Sequence, residues 1–358
     1  MKILHIITSM RTGGAEKLVA DMLPIFKQQG NMADLLLFDG AETPFKQKLQ
    51  EQNINIYSFG VNNFIYNLLF IFKLLPFLKN YDIIHTHNTA CQLFVAVASL
   101  FVAPKNRAKL VTTEHSTTNR RRNIKFLKLI DRWMYSKYDC IAAISTKAQE
   151  NLITHLDAST QKIVTIHNGI NLKNFNKKAK EAKDTKEVKI VMVARFMQPK
   201  DQKTAIRALK LMPQEYHLYL VGDGELRHEA ETYVQALSLT DRVHFLGIRK
   251  DIPDILQASD IVVMSSQYEG LSLSSIEGMA SGCPFIASDV DGLHEITDGA
   301  GILFPYGDEK SLAKEILHLM NDKEYYEYIV KRCRERASFY SIEKCVDNYM
   351  NIYKELTR

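Results

Sequence analysis

Short apolar runs alternate with longer helical patterns along almost the whole chain, and that alternation leaves few folds open. The runs fall at residues 3–7, 34–38, 82–85, 110–113, 140–144 and 163–166. They resume at residues 189–193, 216–221, 243–245, 260–264 and 285–287. Such runs read as strands buried in a parallel sheet, with helices crossing over both faces. The expected fold class is therefore α/β, with two doubly wound, Rossmann-like domains. The break between the two series is residues 171–187, NLKNFNKKAKEAKDTKE, which is lysine-rich and nearly devoid of apolar side chains. It reads as a linker. This gives an N-terminal domain over residues 1–170 and a C-terminal domain over residues 188–340. Two such domains place their strand ends around a cleft, where ligands bind. Residues 341–358 form a further amphipathic helix, with Cys345, Tyr349, Ile352, Tyr353 and Leu356 on one stripe.

Composition narrows the class. The chain has 358 residues, too many for one ordinary core, and 46% hydrophobic and 24% charged residues place it among globular proteins. Residues 3–7 follow Met1-Lys2 directly, a strand pattern too short for a signal or a membrane span. Five cysteines without CxxC spacing read as reduced, buried thiols in a cytoplasmic protein. The net charge of +5 is unevenly spread, because residues 105–137 hold ten Lys/Arg against Glu114 and Asp131. Arg120-Arg121-Arg122 is the centre of that segment. It reads either as a solvated helix face or as a surface for anionic lipid or an anionic acceptor, at the inner face of the cytoplasmic membrane. No nucleic-acid motif accompanies it. Residues 64–78, FIYNLLFIFKLLPFL, are apolar almost all round. They read as a buried helix beneath the sheet, the alternative being an aromatic surface that dips into a membrane interface.

The segment richest in chemistry is EGLSLSSIE, Glu269 to Glu277, set between two apolar runs. Ser272 is a candidate N-cap, so the amides of Leu273, Ser274 and Ser275 open a helix whose positive dipole end suits a phosphate. Carboxylates accept hydrogen bonds from sugar hydroxyls. Glu269 before the helix and Glu277 within it thus frame a phosphate site with two hydroxyl-binding groups, as a sugar nucleotide requires. With its Glu-x7-Glu spacing after a strand, the chain resembles the retaining family 4 glycosyltransferases over nearly its whole length.

Other motifs fall in that family's order. Gly13-Gly14 follows the first strand and opens a helix, where glycine lets backbone approach a ligand. It is not GxGxxG, which disfavours NAD. Arg195 and Lys200, in ARFMQPKDQ, follow the strand at 189–193 and can bridge a diphosphate, Arg as a fork of donors and Lys as a point charge. The family pattern is Gly-Arg followed by lysine, and Ala194 stands here in place of glycine. These cations would neutralise the departing diphosphate in place of a metal. His115, in TTEHS after a strand, is placed to bond a sugar hydroxyl or to cap local backbone. His85 and His87 alternate on a strand and are expected to face opposite sides. With no third ligand at suitable spacing, no metal site is read. Gly222 and Gly247 each end a strand.

The resemblance implies a GT-B architecture of two Rossmann-like domains, with the last helix crossing back onto the N-terminal one. It implies that His115 touches the donor hexose, that Glu269 holds hydroxyls of the transferred sugar, that Ile248 and Arg249 meet the base through main chain, and that Glu277 bonds the ribose. Gly13 and Gly14 would lie beside the donor phosphates. The expected activity is transfer of a hexose or N-acetylhexosamine, with retention, from a nucleotide sugar of UDP type to a saccharide or lipid-linked saccharide of a surface polysaccharide. No cofactor, metal or nucleic acid is expected. Two rival readings share the architecture: a nucleotide-sugar epimerase, which needs no acceptor, and a binding protein without turnover.

Overall fold

The computed structural model describes residues 1–11, 13–61, 65–115, 125–157, 163–175 and 187–358. It divides the chain into two compact units, Met1–Gly169 with Ile342–Arg358, and Ile170–Ser341.

The first unit is built on seven strands: β1 (Lys2–Ile7), β2 (Met32–Leu37), β3 (Ile56–Ser58), β4 (Ile83–Thr86), β5 (Lys109–Glu114), β6 (Cys140–Ala143) and β7 (Ile163–Thr165). They lie in the order β3-β2-β1-β4-β5-β6-β7, every described pairing parallel. Both faces of this sheet are packed. On one, Leu18, Leu23 and Phe26 of the helix Gly14–Gln28 meet Cys345, Tyr349 and Tyr353 of the helix Ile342–Thr357. On the other, Phe38, Phe70, Leu74 and Phe94 form an aromatic-rich layer.

The second unit has six strands: β8 (Val188–Val193), β9 (Tyr216–Val221), β10 (Val243–Gly247), β11 (Ile261–Met264), β12 (Phe285–Ser288) and β13 (Ile302–Phe304). Their order is β10-β9-β8-β11-β12-β13, again parallel. Each unit therefore reverses its strand order once, between β1 and β4 and between β8 and β11. Loops leaving the two strands at such a reversal run in opposite directions, which opens a crevice at the strand ends. All five cysteines are buried, and none is in a disulfide.

Three expectations need correction. The chain passes between the units at Gly169–Ile170 and Ser341–Ile342. The described start of the lysine-rich stretch, Leu172–Phe175, is a short 3-10 turn of the second unit, with Phe175 in that unit's core. Residues 176–186 lie outside the described residues. The described part of the apolar stretch 64–78, residues 65–78, does not form a buried helix. The helix Leu69–Asn80 buries Phe70, Leu74 and Leu78 but leaves Leu69 and Phe72 exposed, so its apolar residues lie on both sides of the helix.

Candidate active site

In the second unit, the reversal between β8 and β11 is where the predicted charges gather. After β8 the chain runs through Arg195 into a 3-10 turn, Gln198–Lys200, and Asp201 then takes a left-handed conformation at φ 44°. The Asp201 carboxylate caps the next helix, Gln202–Lys210, by accepting from the Thr204 amide and hydroxyl. The β11 loop is tied to this turn, since the Gln267 amide donates to the Pro199 carbonyl at 2.7 Å and the Ser265 hydroxyl to the Asp201 carbonyl at 2.7 Å. The result is direct contact between Lys200 Nζ and Glu269 Oε1, with Ser266 Oγ donating to the same carboxylate oxygen at 3.2 Å. The Lys200 and Glu269 side chains are only 19% and 9% exposed. Arg195 is exposed and has no ion-pair partner among the described residues, while Gln202 Nε2 pins its carbonyl at 3.1 Å.

The helix Leu273–Ala280 starts just beyond. Ser272 is its N-cap by backbone conformation, without a side-chain cap. The amide of Ser275 turns inward onto the Ser272 carbonyl at 3.2 Å, so only Leu273 and Ser274 among the three expected amides lack an acceptor among the described residues. Glu277 is buried, as is the Ser275 hydroxyl, which has no hydrogen-bond partner among the described residues. Gly222 at the end of β9 has φ +137°, and a Cβ there would stand 2.2 Å from the Ala194 carbonyl oxygen. Glycine is required for this loop to lie against the Arg195 backbone. Ile248, just past β10, is exposed.

In the first unit, the reversal between β1 and β4 carries the Gly13–Gly14 turn and a group of histidines. Gly13 is the N-cap of the helix Gly14–Gln28, with extended backbone and no side-chain cap. The Thr8 amide donates to Asn88 Oδ1, tying the loop after β1 to the one after β4. His85 and His87 do not face opposite sides: residues i and i+2 of a strand share a face, and their ring centroids lie 4.2 Å apart. The β1–β4 register sets His5 opposite His85 and supplies the third ring that spacing did not reveal. Nitrogens of His5, His85 and His87 lie within 4.8 Å of one another. Their hydrogen bonds already account for this closeness. His85 is held between Tyr353 Oη at 2.5 Å and Thr113 Oγ1 at 2.7 Å, and His87 between His5 at 2.8 Å and His115 at 3.1 Å. Burial pushes all four rings down, His5 to about 3 and His115 to about 4.

A stability prediction follows from these neutral rings. The unfolded chain takes protons on histidine near pH 6.5, while folded His5, His85 and His87 resist them. Their contribution is therefore complete above pH 6.5 and is lost as the pH falls towards 3, by about 1.4 kcal/mol per ring per pH unit. Chemical denaturation between pH 7 and 4.5 should show that decline, and His5→Phe should make it shallower. A flat profile would contradict neutral burial of these rings.

The glycosyltransferase family 4 model matches residues 12–174, and the glycosyl transferases group 1 model matches residues 173–336. The chain belongs to the family 4, group 1 glycosyltransferases. Relatives include the UDP-Gal:alpha-D-GlcNAc-diphosphoundecaprenol alpha-1,3-galactosyltransferase of Escherichia coli. It is 28% identical over 312 residues, covering 81% of this chain and 79% of that one. The N-acetylgalactosamine-N,N'-diacetylbacillosaminyl-diphospho-undecaprenol 4-alpha-N-acetylgalactosaminyltransferase of Campylobacter jejuni is 24% identical, covering 92% of this chain and 93% of that one. The crystal structure of Anabaena Alr3699/HepE with UDP and glucose superposes with a TM-score of 0.85 at 23% identity, over 99% of this chain and 100% of that one. The fold of this glycosyltransferase is GT-B.

In this glycosyltransferase, then, Lys200, Glu269 and Ser266 come together at one strand reversal, with Arg195 on the loop that Gln202 and Pro199 anchor. His115 joins His87 and His5 in the other unit. Sequence reading missed His5 and Ser266, and it placed Tyr349 and Tyr353 on a helix stripe without their bonds to Thr113 and His85. A signal for His5 existed, a lone polar ring inside the apolar run ILHII.

Proposed function

We propose that this glycosyltransferase moves a hexose or N-acetylhexosamine from a UDP-sugar, with retention and without a metal, to a lipid-linked saccharide in surface polysaccharide biosynthesis. The contact of Lys200 with Glu269 at the β8–β11 reversal carries this reading. Lys200 and Arg195 bind the diphosphate and neutralise it as it leaves, while Glu269, released from Lys200, holds hydroxyls of the sugar. The amides of Leu273 and Ser274 meet phosphate at the helix start. Gly222 and Ile248 flank the base, and Glu277 bonds the ribose. The relatives' diphosphoundecaprenol substrates and the UDP complexes of Anabaena HepE support the choice of acceptor and donor.

The test follows nucleotide release from UDP-, GDP- and dTDP-sugars, with and without a lipid-linked acceptor extract, in buffer with and without EDTA. Acceptor-stimulated release from a UDP-sugar that survives EDTA is expected. Release without acceptor would favour a hydrolase, conversion of the donor sugar with its nucleotide retained would favour an epimerase, and full loss in EDTA would refute metal independence.

A surface supports the acceptor's lipid. Leu68, Leu69 and Phe72, with Leu100 and Phe101 of the turn Ser99–Phe101, are each 58–71% exposed, and the Phe72 and Phe101 rings lie 6.2 Å apart. Exposed Lys105 follows that turn. Arg120–Arg122 lie outside the described residues. No described helix is long and apolar enough to cross a membrane. Apolar side chains beside cations suit insertion at an anionic interface. Replacing Leu69, Phe72 and Phe101 together by Ser should weaken binding to phosphatidylglycerol vesicles about tenfold or more. Unchanged binding, or none by the unaltered chain, would remove the membrane from the proposal.

A further inference from the structure

Three histidines form a directed hydrogen-bond chain that ends at the proposed sugar-binding ring. His5 Nδ1 meets His87 Nε2 at 2.8 Å, and His87 Nδ1 meets His115 Nε2 at 3.1 Å. His5 is fully buried, His87 nearly so, and His115 partly exposed. A neutral imidazole has one N–H and one lone pair. His87 must therefore donate one bond and accept the other, so both bonds run in the same sense.

The inner end of the chain decides which sense. His5 Nε2 is buried and has no hydrogen-bond partner among the described residues. If the bonds ran inward, from His115 to His5, that nitrogen would carry an orphaned N–H. If they run outward, it carries only an unused lone pair. Buried donors without acceptors are the rarer and costlier of the two. The outward sense fixes protons on Nδ1 of His5, of His87 and of His115. His115 Nδ1 has no partner among the described residues.

We infer that His87, held in turn by His5, is a positioning residue that locks His115 as its Nδ1–H tautomer, so that His115 offers a donor to a sugar hydroxyl oxygen. This rests on the reading of His115 as a sugar-binding residue. The lock also keeps His115 Nε2 engaged, so the ring cannot offer a lone pair to the substrate from that side.

The experiment uses the full chain labelled with 15N-histidine. Two-bond proton–nitrogen correlations show which ring nitrogen carries the proton, and His115→Ala assigns the His115 signals. His115 is expected to be protonated at Nδ1. In His87→Phe its Nε2–H form should appear, with kcat lowered about 10–100-fold and donor KM changed less than about threefold. His87→Asn, whose amide can donate from near the same position, should restore much of both. His5→Phe removes the inner donor without touching His115 and should give a milder mixture, which serves if His87→Phe does not fold. An Nε2–H His115 in the unaltered protein, or an unchanged tautomer in His87→Phe and His5→Phe alike, overturns the inference. Activity retained in His115→Ala would overturn the sugar-binding reading instead, leaving the tautomer result to stand separately.

Discussion

Lys200→Met is expected to lower kcat by about 10²–10³-fold, the range for removing one preorganised charge that faces a developing anion. The same substitution strands Glu269, whose side chain is only 9% exposed and whose described partners are Lys200 and Ser266. Losing one member of a buried pair is costly because the other stays desolvated without its counter-charge. Lys200 is the more exposed of the two, so the expected cost is about 2 kcal/mol, below the range for fully buried pairs. Stability and turnover then separate in the double variant. Lys200→Met with Glu269→Gln leaves no stranded charge and should recover most of the lost stability, yet its turnover should be no better than that of either single variant. Denaturant midpoints and steady-state rates on the three proteins decide the matter. A double variant that regains turnover would mean that the pair is a structural tie and not part of the transfer machinery.

Gly292→Ala should reduce turnover about 10²-fold from a position that carries no chemistry. Gly292 is buried in the helix Asp291–Thr297, and a Cβ there would sit 2.3 Å from the Glu269 carbonyl oxygen and 2.6 Å from that of Gly270. Both obstacles are backbone, so no side chain can swing aside. The methyl group must push the β11 loop away, and Glu269 moves with it. Displacement of a reacting or orienting group by about 1 Å is enough for a loss of this size. Overpacking should also cost about 1–3 kcal/mol in stability. Measured kcat/KM within threefold of the unaltered enzyme would show that the Glu269 loop tolerates movement and that its placement is not critical.

The parts of this molecule that sequence made legible share a physical origin. Strands buried on both faces need continuous apolar residues, and eleven of the thirteen described strands were visible for that reason. The two that escaped, Ile56–Ser58 and Ile302–Phe304, have three residues each and lie at sheet edges, as does Ile163–Thr165, which was visible because its apolar run extends to Ile166. Lys200 and Glu269 were legible singly, but their contact was not. It depends on β8 and β11 being neighbours, which strand order fixes and spacing does not. The histidine chain was hidden for the same reason, since His5, His87 and His115 come from three different strand regions. The helix Leu69–Asn80 was misread because apolar residues on all sides look alike whether covered or exposed.

The helix Ile342–Thr357 belongs to the first unit although it follows the whole of the second unit in the chain. Tyr353 reaches His85 and Tyr349 reaches Thr113, so this helix closes the polar interior as well as the apolar face of that unit. On the ribosome, residues 1–169 must therefore wait with an uncovered face while the next 172 residues are translated. The second unit, contiguous from Ile170 to Ser341, has all its strands in hand sooner. The order of completion in the cell thus runs against the order of synthesis. Any chaperone that attends this enzyme has its longest task at the N-terminal half.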